Sequence, residues 1–325
     1  MMKYLIRRFF YAIPILFGIN VLTFILFFMV NTPDDIARMH LGQKHVQQQV
    51  IDDWKAAHGY DFPLFFNEQK TGLEKLEATL FFQKSMRLFT FDFGMSDAGR
   101  DISQDITFRM WPSLAIAIPV LFLDVISNIV LAMSMAFFRG TYLDLTGVIF
   151  CIILMSISSL FYIIGGQYLF GKLLRLVPIS GYDGGVEAFK FIILPVVVAV
   201  LGSLGAGGRW YRTLFLEEIH KDYVKTARAK GLTERKIMFK HVLKNAMLPI
   251  LTGVVVIIPS LFMGSLVLES FFGIPGLGSY IIDAIQQQDF AIVRAMVFLG
   301  SIMYIVGLVL TDFSYMLVDP RVKLS

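Results

Sequence analysis

Six stretches of the chain are long enough and apolar enough to cross a bilayer, and they constrain the fold more than any motif does. They lie at roughly 9–30, 112–136, 147–170, 191–212, 247–270 and 292–317. About 20 apolar residues at 1.5 Å rise cross the ~30 Å hydrocarbon layer. Each stretch is apolar all round rather than on one stripe, as a helix facing lipid or buried on every side must be. The composition agrees, with 56% hydrophobic and 17% charged residues in 325 and a mean hydropathy of +0.67. A soluble domain holds about 45–50% apolar and about 25% charged residues, and a disordered chain is poorer still in apolar groups. The sequence therefore predicts an all-α polytopic membrane protein with six transmembrane helices and a partly helical external segment between the first and second. The first stretch follows Lys3, Arg7 and Arg8 like a secretory leader. Its apolar run is too long for a leader and no small-x-small site follows, so an uncleaved span is expected.

Short loops rich in Lys and Arg stay in the cytoplasm. The N-terminus carries Lys3, Arg7 and Arg8, and the tail carries Arg321 and Lys323. Between them, 217–245 holds Lys221, Lys225, Arg228, Lys230, Arg235, Lys236, Lys240 and Lys244 against four acids. Six spans put these regions and the 139–146 turn on one side, expected to be cytoplasmic. The implied division is 1–30 for the N-terminus and first span, 31–111 for the external segment, 112–317 for a five-span core and 318–325 for a cytoplasmic tail. The external segment leans acidic through Asp34, Asp35, Asp52, Asp53 and Asp61, but it is too long for its charge to set topology.

Within the external segment, 43–54 reads as a polar helix, and 59–63 reads as a turn because the residue before proline resists helix. The Phe-rich stretch 76–89 is amphipathic and suits a helix at the bilayer surface. The segment is either a cap on the span ends or a docking surface. The basic loop 213–249 is more informative. A helix over 216–230 is expected to end at Gly231, whose residue type suits the left-handed position after a helix. Thr233 is a candidate N-cap for a second helix running to about Asn245, with Pro249 where the fifth span starts. Tyr223, Ala227 and Lys230 fall at i, i+4 and i+7 and share a face, on which the small Ala227 would allow a partner to approach. Attraction of a basic loop to anionic lipid is the competing reading.

Signs of chemistry are few. The run GQYLFGKL at 166–173 imitates a P-loop but lacks the Ser or Thr that holds Mg²⁺ and follows no strand. Glycines 202, 205, 207 and 208 are spaced for helix packing. The single cysteine, Cys151, allows no intramolecular disulfide and no cysteine metal cage. No catalytic residue, cofactor or metal site is expected in this chain, and no nucleic-acid partner. Polar residues inside spans are costly and therefore candidates for function. They are Asn20, Asp124, Asn128, Glu269, Arg294 and Asp312. Asp124 lies near the middle of the second span with Asn128 one turn on, either fixing helix packing or lining a polar path. Glu269, Arg294 and Asp312 sit nearer span ends, where snorkelling lowers the cost.

The run DYVKTARAKG at 222–231, continuing through His241 and the NAMLP of 245–249, resembles the cytoplasmic coupling loop of ABC importer permeases of the dipeptide, oligopeptide and nickel group. Further short runs agree in order: FDFGMS at 91–96, PISGY at 178–182, Glu269 with PGLG at 275–278, Asp289 with Phe290, and DPR at 319–321. The chain departs from the general importer pattern by carrying Lys225, Thr226 and Ala227 where that pattern has Glu-Ala-Ala, as is common in the peptide group. The resemblance implies a type I importer permease in a bacterial inner membrane. It implies a second homologous permease, two ATP-binding subunits that carry ATP and Mg, and an external solute-binding protein. Asp222, Tyr223, Thr226, Ala227, Lys230, Gly231, His241, Asn245 and Pro249 would then form the ATPase-coupling loop, and peptides would be the cargo, with nickel chelates or another small solute as alternatives. The rivals are an ion-coupled secondary transporter, for which one deep acid is thin support, and a membrane scaffold without a path.

Overall fold

The computed structural model describes residues 2–42 and 46–318, and among them secondary structure is helical apart from one isolated bridge between Met95 and Asp101. The helices are α1 (Met2–Val30), α2 (Pro33–Leu41), α3 (Gln48–His58), α4 (Glu74–Glu77), α5 (Leu80–Lys84), α6 (Ile102–Phe137), α7 (Tyr142–Ser156), α8 (Ser159–Gly166), α9 (Ala188–Ile219), α10 (Asp222–Ala229), α11 (Glu234–Ile237), α12 (Leu243–Ile257), α13 (Leu266–Phe272), α14 (Leu277–Gln287) and α15 (Phe290–Val318). Five helical runs are long and apolar enough to span a bilayer: Phe10–Val30, Ile102–Phe137, Ala188–Ile219, Glu234–Met263 and Phe290–Ser314. The chain is thus an all-α polytopic membrane protein, as the apolar stretches predict.

The third and fifth spans differ from expectation. The third is no straight helix: α7 and α8, extended to Leu173, meet at 87°. The break falls at Ile157, whose extended backbone (φ −91°, ψ 126°) interrupts the ladder. The fifth does not reach residue 270, because Gly264 takes φ 68° and stops the helix after Met263. Hydropathy sums over both breaks and so cannot see them. The coupling region differs as well. A helix over 216–230 was expected, but α9 continues to Ile219, the chain turns at His220 and Lys221, and α10 begins at Asp222. The second expected helix is not separate. It runs from Glu234 through a π-helical turn at Met238–Val242 into α12, so Pro249 lies inside the span and not at its start.

The chain divides into two compact units. The first comprises 1–109 and 280–306. Its core gathers Phe24 and Phe28 of α1 with Ile36, Tyr60 and Leu80, flanked by Trp54, Phe81 and Phe290. Thr32 caps α2 by a reciprocal pair with Asp35, and Pro33 supplies the preset φ at the first position. The polar helix expected at 43–54 is observed as Gln48–His58, with Gln43 to His45 outside the described residues; Gly59 (φ 64°) ends it. The surface helix expected at 76–89 is instead three short pieces, α4, α5 and a 3₁₀ turn at Met86–Thr90. Leu80 and Leu88 are buried in protein, so burial in the unit's own core outcompetes the bilayer surface.

The second unit comprises 110–279 and 307–323. Its helices α7 and α9 pack closely on small residues. A Cβ on Gly205 would stand 2.6 Å from the Cys151 carbonyl oxygen, and one on Gly208 would stand 2.9 Å from Leu131. The spaced glycines are packing surfaces, as read. The false P-loop at 166–173 is helical throughout, with no cradle of free N–H groups. The tail motif at 319–321, with Arg321 and Lys323, lies outside the described residues.

Candidate functional site

The loop region 213–249 is built on a hydrophobic floor. Val224 and Ala227 of α10 are buried with Phe215 and Ile219 of α9 and with Ile237, Met238, Val242 and Ala246 on the way into α12. This corrects the expectation for Ala227. It faces the chain's own core at 6% exposure, because α10 needs an apolar face to dock at all, and its smallness brings α10 close to its own neighbours. Tyr223 is half-buried, and its hydroxyl donates to Glu218 at 2.5 Å and meets the Asn245 side chain. One phenol thus ties the end of α9 to the helix leading into α12. Burial, with Glu218 beside it, pushes that phenol up to about 12.

The outward face is charged. Asp222 opens α10, where a carboxylate favours the helix N-terminus, and pairs with Lys225 at 2.8 Å. Thr226 is exposed and its hydroxyl donates to the Asp222 carbonyl at 3.0 Å. At the far end Gly231 takes φ 73°, and the Leu232 N–H returns to the Ala227 carbonyl at 3.3 Å, a left-handed helix stop. Arg228 bridges the turn to Glu234 with bonds of 2.5 and 3.2 Å. Thr233 occupies the N-cap position as read but makes no side-chain capping bond. Lys230 and Gly231 are exposed, His241 and Asn245 half-buried, and Pro249 exposed. The nine residues named from sequence therefore do not form one cluster. Asp222, Thr226, Lys230 and Gly231 lie on the outer face; Tyr223 and Asn245 are its internal brace; Ala227 is core; His241 and Pro249 lie farther along the emerging helix.

Of the intramembrane polar residues, Asn20, Asp124, Asn128 and Glu269 make side-chain hydrogen bonds within the chain. Asn128 donates to the Asp124 carbonyl and carboxylate at 2.9 and 2.7 Å, and Ser203 of α9 donates to the same carboxylate. Asn128 is 1% exposed and presses on Gly207. Asn20 donates to the Ser85 carbonyl at 2.9 Å. The snorkelling expectation is overturned for two residues, since Glu269 and Arg294 are 1% and 4% exposed. Glu269 accepts backbone N–H bonds from Ser265, Gly278 and Ser279 at 2.7–3.1 Å. That is compensation a carboxylate needs when it leaves water. Neither Gly264 nor Gly276 has space for a Cβ beside it.

Sequence reasoning missed three features. Asp144 at the start of α7 makes a two-pronged bond to Arg212 of α9, both prongs 2.8 Å. Ser203 was not singled out as the partner of Asp124. The third is a polar cluster in the first unit, where Tyr60 donates to Asp97 at 3.0 Å and His40 lies 3.5 Å from the other oxygen of Asp97. The His40 imidazole is pushed up by the Asp97 bond against its burial. Of these, only the Ser203 contact had a signal in the sequence, the charge of Asp124 inside an apolar run. Among the described residues no group of three His, Cys, Asp or Glu could hold a metal.

Comparison with known proteins places this geometry. Residues 128–324 match the family described as binding-protein-dependent transport system inner membrane component. Residues 1–72 match the corresponding N-terminal family. The chain is 30% identical to the dipeptide transport system permease protein DppB of Bacillus subtilis, over 100% of this chain and 99% of that one. It is 29% identical to the oligopeptide transport system permease protein AppB of the same organism, over 99% and 100%. It is 28% identical to the glutathione transport system permease protein GsiC of Escherichia coli, over 99% of each.

Proposed function

This chain belongs to the family of inner-membrane components of binding-protein-dependent transport systems, and on that premise we propose that it is a permease subunit of an ATP-driven importer of di- and oligopeptides. A second permease completes the path, two ATPase subunits dock on the coupling loops of the two permeases, 217–249 in this chain, and an external binding protein delivers cargo. The chain performs no hydrolysis itself; ATP and Mg belong to the partner ATPases. Both termini and the 217–249 loop lie in the cytoplasm, 31–111 lies outside, and 112–317 forms the core. Full-length similarity to a dipeptide and an oligopeptide permease supports the cargo class, with nickel chelates or another small solute as the second choice.

The observation that carries the coupling role is the mounting of α10. Its inner face is buried with residues of α9 and of the helix leading into α12, and the Tyr223 hydroxyl joins Glu218 to Asn245. Its outer face presents Asp222, Thr226, Lys230 and Gly231. A push on that outer face reaches two spans through the shared packing of its inner face, as alternating access by rocking helices requires. Gly231→Asp tests it. Uptake should fall to background and ATP hydrolysis should lose its dependence on cargo, with membrane insertion unchanged; normal uptake in that variant would refute the coupling assignment. The bonds among Asp124, Asn128 and Ser203 support a packing role for Asp124 and Asn128 over a polar path.

A further inference from the structure

In the second unit, α6 and the helical run Glu234–Met263 leave an apolar groove of about 230 Å³ between them. Met133, Phe137 and Phe138 form one wall, and Met238, Phe239 and Arg235 form the other. Phe137, Phe138 and Phe239 are 40%, 42% and 53% exposed. Ser134 also lines the groove, but its hydroxyl donates to the Val130 carbonyl at 2.7 Å, so the wall stays apolar in character. Three exposed aromatic rings around one groove mark a surface that another molecule covers.

The position of the groove along α6 indicates what that molecule is. Met133, Ser134 and Phe137 belong to the end of α6. The apolar run closes at Phe138, and Arg139 follows. The groove thus opens where hydrocarbon gives way to headgroups. Its mouth continues into an open, polar hollow of about 320 Å³ that shares Arg235 and Phe239 and adds Thr233 and Lys236. No carboxylate lines either space. Arg235 and Lys236 are exposed, and neither makes an ion pair among the described residues. The acids of the adjoining segments are committed elsewhere. Glu234 takes Arg228 at 2.5 and 3.2 Å, and Asp144 takes Arg212 at 2.8 Å in both prongs. An apolar slot at bilayer depth beside two unpaired cations matches a phospholipid with a negative headgroup in both its halves, and a guanidinium fork suits a phosphate.

We propose that this groove binds one anionic phospholipid, an acyl chain lying against Phe137, Phe138 and Phe239 and the phosphate meeting Arg235 and Lys236. The proposal is independent of the transported cargo, of the coupling role of α10 and of which face of the membrane this end of α6 meets.

Native mass spectrometry of the full chain, delipidated in detergent, reads the apparent Kd of the first lipid bound. Phosphatidylglycerol should bind as one saturable copy, about thirtyfold tighter than phosphatidylcholine with the same chains, the effect of two charges near a lipid surface. Arg235→Gln combined with Lys236→Gln should bring the two lipids to equal affinity. Lys172→Gln combined with Arg175→Gln removes the same charges elsewhere on this unit and should leave the preference intact. Phe239→Ser should weaken both lipids about tenfold. Glycerol 3-phosphate, a headgroup without chains, should not compete. All five altered positions are exposed, so the variants keep the packed core. No preference for phosphatidylglycerol, a preference that survives loss of Arg235 and Lys236, or one lost equally with Lys172 and Arg175 would overturn the proposal. So would competition by glycerol 3-phosphate, which would make this a site for free phosphate. Loss of the lipid when the chain is purified with its partner subunits would assign the groove to a protein and overturn it too.

Discussion

Small residues in this protein serve close approach within the chain, and their substitution tests that reading. Ala227 sits in the floor under α10 at 6% exposure. Ala227→Leu should lower thermal stability by about 1–3 kcal/mol through overpacking, read as an earlier midpoint in detergent; an unchanged midpoint would return Ala227 to the docking face. Gly231 differs, since a Cβ there meets nothing within 4 Å but the backbone stands at φ 73°. Its cost in other residues is conformational, about 1–2 kcal/mol. His40 and Asp97 give the external segment a pH dependence. The His40 pKa is raised from 6.5 by Asp97, so its contribution is complete below that value and is lost as pH rises through the raised one. Asp97 works oppositely. Burial alone would raise it, but the bonds from His40 and Tyr60 hold it low, and its contribution is lost as pH falls through that lowered value. Resistance of 31–111 to proteolysis, compared on a Lys84→Gln background because burial brings the Lys84 ammonium in the same unit down to about 8, should therefore be greater at pH ~6 than at pH ~8.5. On that background His40→Gln should erase the difference, and equal resistance at both pH values with His40 in place would remove His40 as its source.

At the scale of elements, the fold depends on joints rather than on spans. The corner between α7 and α8 turns 87°, and α7 is held to α9 by glycine contacts and by Asp144 with Arg212. Both charges are largely shielded, so leaving one alone is the severe change. Arg212→Met should destabilise by about 3 kcal/mol, while Asp144→Leu combined with Arg212→Met should recover most of that loss. If the double variant is no more stable than the single one, the pair does not act as a unit. The run from α11 through the π turn into α12 makes the emerging loop and the fifth span one continuous helical run, which is the mechanical basis of the coupling reading.

At the scale of the molecule, the unequal placement of Lys and Arg predicts the orientation of the chain. Cys151 is fully buried, so a Cys151→Ala background can carry new cysteines. On that background Glu68→Cys should react with a membrane-impermeant maleimide in intact cells, and Lys236→Cys only after the membrane is opened. Both positions are exposed, so the reverse pattern would invert the topology and remove the coupling loop from the cytoplasm. The two compact units also explain why the charge-rich external segment escaped a sequence reading. Its aromatic core draws Phe24 and Phe28 from the first span, residues that hydropathy assigns to lipid, with Phe290 at the start of the last helix packed against it.

What the sequence determined by itself was the solvent and the periodicity. Apolar runs of bilayer length dictate helices, because backbone groups cannot remain unpaired in hydrocarbon, and the sixth span, expected at 292–317, is observed as Phe290–Val318. The motif over 222–231 suggested the coupling element proposed above, and the helix stop at Gly231 (φ 73°) followed from its residue type. The tertiary structure alone decided which polar groups meet. Glu269 and Arg294 read as snorkelling because both lie near span ends, where one-dimensional position implies water. The fold instead surrounds Glu269 with N–H groups from a turn nine and ten residues on, and buries Arg294 in a unit assembled from residues 1–109 and 280–306. Ala227 read as a docking surface for the same reason. Periodicity tells which residues share a face, but only the packed neighbours decide whether that face looks inward or out.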